Sequence, residues 1–182
     1  WLLTDGSIQE KTGHVALNLK RDDKDVLEKI KKVMNFTGKV YDSQRPDGRK
    51  SSHLRICRKS MTEDLFNLGM AREDKTFNTT LPNIPDAFSW DFVRGVFEGD
   101  GSIRHRKGNT DALDITIASA TKQFLLDLQT SLEKRGIFTR LTQSKENLYT
   151  VNTKSNADAL RMSYFMYANT DESLRLNRKF DV

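Results

Sequence analysis

The sequence predicts an α+β protein made of two pseudo-symmetric copies of one αββαββα unit. Three observations carry that prediction: the tetrapeptide Asp-Gly-Ser-Ile occurs twice, strands of alternating polarity follow each copy, and amphipathic helical stripes recur at matching places downstream. Asp5, Gly6, Ser7 and Ile8 return as Asp100, Gly101, Ser102 and Ile103, an offset of 95. Lys24, Leu27 and Ile30 return as Lys122, Leu125 and Leu128 at an offset of 98, and "KSMTEDL" at 59–65 returns as "KSNADAL" at 154–160, again at 95. Identities at three separated places in one order mark a duplication.

Each element follows from local pattern. The segment "SWDFVRGVFEGDG" sets Phe92, Val93, Val96 and Phe97 at helical spacing, with Gly95 and Gly99 four apart, so this helix is expected to pack closely on a twin ending in "WLLTDG". After Asp-Gly come a polar stretch and an alternating strand, with Val15, Leu17 and Leu19 on one face and Ala16, Asn18 and Lys20 on the other. Ile115 and Ile117 against Asp114 and Thr116 answer it in the second copy. A helix follows, apolar at Val26, Leu27, Ile30, Val33 and Met34 and again at Phe124, Leu125, Leu128 and Leu132. Gly38 and Gly136 are placed to end these helices. Strands are expected at 39–43 and 52–58 around the turn "SQRPDGRK", and Ser60-x-x-Glu63 and Ser155-x-x-Asp158 read as capping boxes for a last helix. The boundary falls in the proline-bearing stretch "LPNIPDAFSW". The first repeat is therefore expected over 1–80, a linker over 81–90 leading into the second motif helix, and the second repeat over 91–182.

Composition narrows the function classes. The 182 residues carry 30 Lys+Arg against 25 Asp+Glu, a net charge of +5 that leans toward a polyanionic partner. A single cysteine, Cys57, rules out a disulfide framework, and with three histidines leaves no Cys/His zinc spacing. No apolar run approaches the ~18 residues of a membrane span and no leader precedes Trp1, so an intracellular protein with no membrane contact is expected. Trp1 is not an initiator methionine, so the chain is expected to extend upstream.

Two motif helices that pair side by side and both end at Asp-Gly bring Asp5 and Asp100 to one pole of their interface. Like charges at close range need a counter-ion, and oxygen-only ligands suit Mg²⁺, which keeps several of its waters. A calcium loop of EF-hand type fails, because Thr12 and Lys107 stand where it requires glutamate. The bland reading is that Asp-Gly is a common turn and the glycines are core packing; the duplication weighs against it.

"GVFEGDGSI" resembles the motif of the LAGLIDADG homing endonucleases, and "WLLTDGSI" resembles a second copy, with Leu3 and Thr4 where the other has Glu98 and Gly99. The resemblance extends over nearly the whole chain and is to the single-chain, two-repeat type, intron-encoded or the endonuclease portion of an intein; the N-terminal nucleophile and His-Asn end of an intact intein are lacking. It implies motif helices at the interface of two halves, sheets forming a DNA-binding saddle, and catalytic metal at the last acid of each motif, here Asp5 and Asp100. It also implies a lysine in each active site. "REDKTFNTTLP" offers Lys75 and "LNRKF" offers Lys179.

The polar sheet faces are then expected to meet double-stranded DNA through Ser7, Gln9, Lys11, Asn18, Lys20, Arg55, Arg104, Arg106, Thr116, Thr150 and Asn152, with Arg140 beside them. Residues 45–59 add six basic residues against Asp47, among them Arg45, Arg49 and Lys50, and "RHRK" adds Lys107. The implied activity is Mg²⁺-dependent hydrolysis of both strands at a long asymmetric site by a monomer. The rivals are a protein of the same fold that binds nucleic acid without cutting, as a maturase or regulator, and a protein-binding module whose cations are solvated surface.

Overall fold

A computed structural model describes residues 1–72, 75–170 and 174–182, with the backbone alone at 75, 109 and 110. The first repeat runs α1 (Leu2–Asp5), β1 (Gly6–Gln9), β2 (His14–Lys20), α2 (Lys24–Val33), β3 (Val40–Gln44), β4 (Lys50–Cys57) and α3 (Lys59–Asn67), followed by a short α4 (Lys75–Asn78). The second runs α5 (Ser89–Asp100), β5 (Gly101–Arg106), β6 (Asn109–Ser119), α6 (Lys122–Glu133), β7 (Thr139–Lys145), β8 (Leu148–Thr153) and α7 (Asn156–Tyr167), and α8 (Asn177–Phe180) follows. The antiparallel sheets have the same order, β1-β2-β4-β3 and β5-β6-β8-β7. Register repeats too: Gly6 pairs with Leu17, and Gly101 with Ile117.

Period-two alternation sends one face of each sheet onto helices. Leu17, Leu19 and Leu54 of the first sheet meet Val26, Leu27 and Ile30 of α2. Ile115, Ile117 and Val151 of the second meet Phe124, Leu125, Leu128 and Leu132 of α6, together with Val93, Val96 and Phe97 of α5. Each such side chain stabilises the fold by roughly 1.5–3 kcal/mol relative to exposure.

The polar stretch after each Asp-Gly is the first strand of its pair, β1 or β5, and leaves the helix without an intervening loop. The structure corrects three local expectations. The helix α2 ends not at Gly38 but at Asn35, whose φ of 53° and bond from Asn35 N to Lys32 O close the turn; Gly136, at φ 73°, does this for α6. Asn reaches the left-handed region at modest cost because its short polar side chain bonds locally. Ser60 lies inside α3, which starts at Lys59 without a side-chain cap, whereas Ser155 does cap α7, accepting from Asp158 N at 3.0 Å. Asp158 in turn accepts from Phe138 N at 2.9 Å. α5 starts at Ser89, within the stretch read as linker.

The C-terminal segment crosses back over the chain. Leu174 and Leu176 pack into the core of the first repeat, and Arg178 pairs with Asp23, at the start of α2, at 3.1 Å.

Candidate functional site

The pole of the molecule is built from two helix ends. A Cβ on Gly95 would lie 2.8 Å from Trp1 N, and one on Gly99 would overlap Thr4 Oγ1 and come within 2.8 Å of an Asp5 carboxylate oxygen. Glycine at both positions is what lets α1 and α5 touch through their backbones. The glycine after each acid has a separate reason: a Cβ on Gly101 would sit 2.5 Å from Phe97 O, and one on Gly6 2.6 Å from Leu2 Cα, because β5 and β1 fold directly back over their helices. The doubled Asp-Gly is thus a helix end and a strand start in one step, and it delivers Asp5 against Gly99, the neighbour of Asp100. Thr4 Oγ1 donates to Asp5 Oδ2 at 3.3 Å.

Beneath this pair lies Lys179, 7% exposed. Its Nζ donates to the carbonyls of Phe97 and Glu98 in the last turn of α5, and of Gly101 at the start of β5, at 2.8, 2.7 and 2.6 Å; Phe97 O also takes the Gly101 N–H. Burial, together with the Arg178 charge, pulls its pKa down to about 8 against the opposing pull of Glu98, Asp5 and Asp100. An ammonium has three donors, and all three are spent here. Lys179 therefore brings positive charge to the acids, with no N–H left over to polarise a water. Lys75 opens α4, and its side chain lies outside the described residues.

Glu98 is 1% exposed. Burial raises its pKa, opposed by hydrogen bonds from Tyr167 Oη at 2.5 Å and Leu176 N at 2.7 Å. Among the described residues no cluster of three or more His, Cys, Asp and Glu side chains is placed to hold a metal.

On the first sheet, Ser7, Gln9, Asn18 and Arg55 line one shallow hollow with His14, Ala16 and His53. Lys20 lies opposite Ser51 in the same phase, and Lys11 is exposed in the β1–β2 turn. Arg45 and Lys50 are exposed at the β3–β4 turn, and Arg49 donates to Asp47 at 2.8 Å, holding that carboxyl below its usual range. On the second sheet Arg104 and Arg140 are exposed, Arg140 opposite Asn152, and Lys107 is exposed at the hairpin. Thr116 donates to Asn152 at 2.7 Å, and Asn152 donates to Thr142 and Thr150 at 3.2 and 3.1 Å, one hydrogen-bonded layer. Arg106 is the exception to an open face. Its Nε is taken by Asp114 at 2.7 Å, an acid that strand phase alone puts on this side. His53 and Thr142 were missed; the alternation that places Arg55 and Thr150 also places them, two residues from Arg55 in one case and paired across from Thr150 in the other.

Two LAGLIDADG-like models tile the chain, the WhiA LAGLIDADG-like domain over residues 1–62 and the LAGLIDADG-like domain over 88–163. Both repeats therefore carry a LAGLIDADG-like domain. Among solved structures it resembles the homing endonuclease I-WcaI bound to its DNA recognition sequence (12% identity, TM-score 0.66, 98% of this chain and 81% of that one). It also resembles I-DmoI in complex with DNA and Ca (13%, 0.60, 91% and 84%) and the N-terminal LAGLIDADG domain of DUF199/WhiA (14%, 0.59, 94% and 79%). These likenesses show the fold. Among curated proteins it is 29% identical over 180 residues to the tRNA-splicing ligase RtcB of Pyrococcus furiosus, covering 85% of this chain and 18% of that protein. It is 25% identical over 157 residues to an uncharacterised protein of Methanocaldococcus jannaschii, covering 81% and 17%. The chain thus spans less than a fifth of the curated relatives it matches. No helix among the described residues is long and apolar enough to cross a membrane.

Proposed function

We propose that this chain is a sequence-specific, metal-dependent DNA endonuclease of the homing type. The observation that carries the reading is the Asp5 carboxylate packed on Gly99, one residue from Asp100, at the pole where α1 and α5 meet. Two carboxylates alone under-ligate a cation, and that fits Mg²⁺, which fills its sphere with water and phosphate oxygens. Structural relatives were crystallised with DNA and Ca, Mn or Mg, which supports the same ion class here. When bound, a divalent cation supplies Lewis-acid activation of water and neutralises charge on the phosphate. The chain's own residues do the rest. Asp5 and Asp100 would hold the ion, Lys179 lowers the cost of crowding two acids from below, and the sheet faces would grip one half-site each. Residues 1–80 and 91–182 read unlike sequences because their faces differ, so the site is asymmetric. The two motif helices satisfy each other, so a monomer binds, and sedimentation at micromolar concentration would show one.

The test is selection of cleaved sites from a random duplex library in Mg²⁺, followed by binding of the selected site in Ca²⁺. Recovery of a long asymmetric site cut on both strands supports the proposal. A second reading, DNA binding without cleavage, draws on the match of residues 1–62 to the WhiA-type domain and on the spent donors of Lys179. Tight, salt-dependent binding with no cleavage in Mg²⁺ or Mn²⁺ would establish it.

A further inference from the structure

Behind the acid pair lies a buried carboxylate, Glu98, that the proposed chemistry does not use. Both oxygens of Glu98 face the C-terminal region, one taking the Tyr167 hydroxyl of α7 and the other the main-chain N–H of Leu176. Three residues on, Lys179 fixes itself to the last carbonyls of α5 and to Gly101 O. The side chain of Leu176, 3% exposed, is packed among Leu17, Leu19, Val26 and Leu27 of the first repeat, and between the two anchors Arg178 forks onto Asp23 at 3.3 and 3.1 Å. Burying a carboxylate and an ammonium is costly, and apolar residues of the same size fill space with less penalty. What a carboxylate and an ammonium add is directional attachment to main-chain atoms, and those atoms belong to the end of α5, to the first residue of β5 or to the returning segment.

We propose that residues 174–180 form a strap that positions Asp100, tying the C-terminal turn of α5 to the core of the first repeat, with Glu98 and Lys179 as its positioning residues. The two acids sit on different repeats, and α1 and α5 touch only over one short helix. The strap is a second, independent bridge between the same two bodies. It carries the position of the first core to the carbonyls on either side of Asp100. Its consequence for cleavage rests on the nuclease reading; the coupling itself rests on geometry alone.

Amide hydrogen exchange and single-turnover cleavage of the full chain test it together, using Glu98→Ala, Glu98→Gln, Tyr167→Phe and Arg178→Ala. In Glu98→Ala two buried donors lose their acceptor. Exchange at residues 97–101 and 176–180 is expected to rise together by about ten- to a hundredfold, with β2 and β6 unchanged. The cleavage rate falls with DNA affinity in Ca²⁺ retained. Glu98→Gln, which keeps a carbonyl acceptor, recovers part of both, and Tyr167→Phe gives a smaller joint rise. Faster exchange at 176–180 alone, with 97–101 and cleavage at parental values, would overturn the proposal, leaving a docked tail. Should Glu98→Ala unfold globally, the half-exposed Arg178→Ala decides: it must speed exchange at 97–101 by a few-fold, and parental exchange there also overturns the strap. A parent that binds but never cuts removes the nuclease reading, and joint exchange still decides the coupling.

Discussion

In the second repeat α5 contributes Val93, Val96 and Phe97 to a core that runs through α6 to Met162 and Met166 of α7; in the first, α1 contributes no buried residue at all. Beside α1 lies an apolar cleft of about 310 Å³, lined by residues that include Trp1, Leu17, Ile30, Leu54, Leu65 and Phe92. The first core is completed instead by Leu176, borrowed from the far end of the chain. The polar faces differ in the same sense. The second sheet bonds Thr116, Asn152, Thr142 and Thr150 to one another, while the first presents His14, His53, Arg55 and Asn18 around an open hollow. Identical topology therefore does not require identical packing or a similarly preset surface. The second repeat buries its own motif helix, with Leu3 and Leu81 packed against its core, and bonds its face internally; the first draws Leu176 from the far end of the chain and leaves a hollow in its face.

The strongest way to break this comparison is at the acids, where the repeats are expected to be equivalent. Asp100→Asn and Asp5→Asn should each cut cleavage by roughly a hundredfold or more, about 3 kcal/mol of barrier, with binding in Ca²⁺ retained. Loss of one strand's cleavage in only one variant, read on labelled strands, would show separable sites. Parental rates in both would end the nuclease reading. Packing comes next. Leu125→Ala, in the closed core, should cost about 4 kcal/mol of unfolding free energy, and Leu27→Ala, in a core beside a cleft, about 3, since cost grows with the cavity that cannot relax; urea titration measures both. For the faces, Arg55→Ala and Arg104→Ala should each weaken DNA binding by about 1–3 kcal/mol if they touch bases, or mainly lower the salt slope if they touch phosphates. Unchanged affinity in both across a salt titration refutes the face assignment. The smallest effect is at the helix ends: Gly136→Ala should destabilise by about 1 kcal/mol, because alanine resists φ 73°, while Asn35→Gly should change stability by only a few tenths.

Strands and helix stripes were legible because their periods are local: Leu17, Leu19 and Leu27 announce their faces within a few residues. The motif pole was legible for a different reason, since the repeat itself said that Asp5 and Asp100 occupy equivalent places. What escaped is non-local. Glu98 looks like any acid near a helix end, and nothing close to it in sequence says that Leu176 N, 78 residues on, is its partner. Lys179 was expected near the site only through the family resemblance, and its burial under three carbonyls depends on the path of a segment with no periodicity. The Asn35 helix end lost to Gly38 because glycine is the commoner signal, and the structure uses the rarer residue.

The returning segment also bears on how the protein could be divided. A cut anywhere in 81–88 yields fragments along the chain's own boundary, but the second would carry Leu174, Leu176 and Arg178 away from the core and the acid they serve. Each piece would hold what the other lacks: an apolar groove and Asp23 in one, the matching leucines and cation in the other. Such halves are built to find each other, and a complex formed on mixing them would turn the tail into a ready-made association tag for a two-component protein.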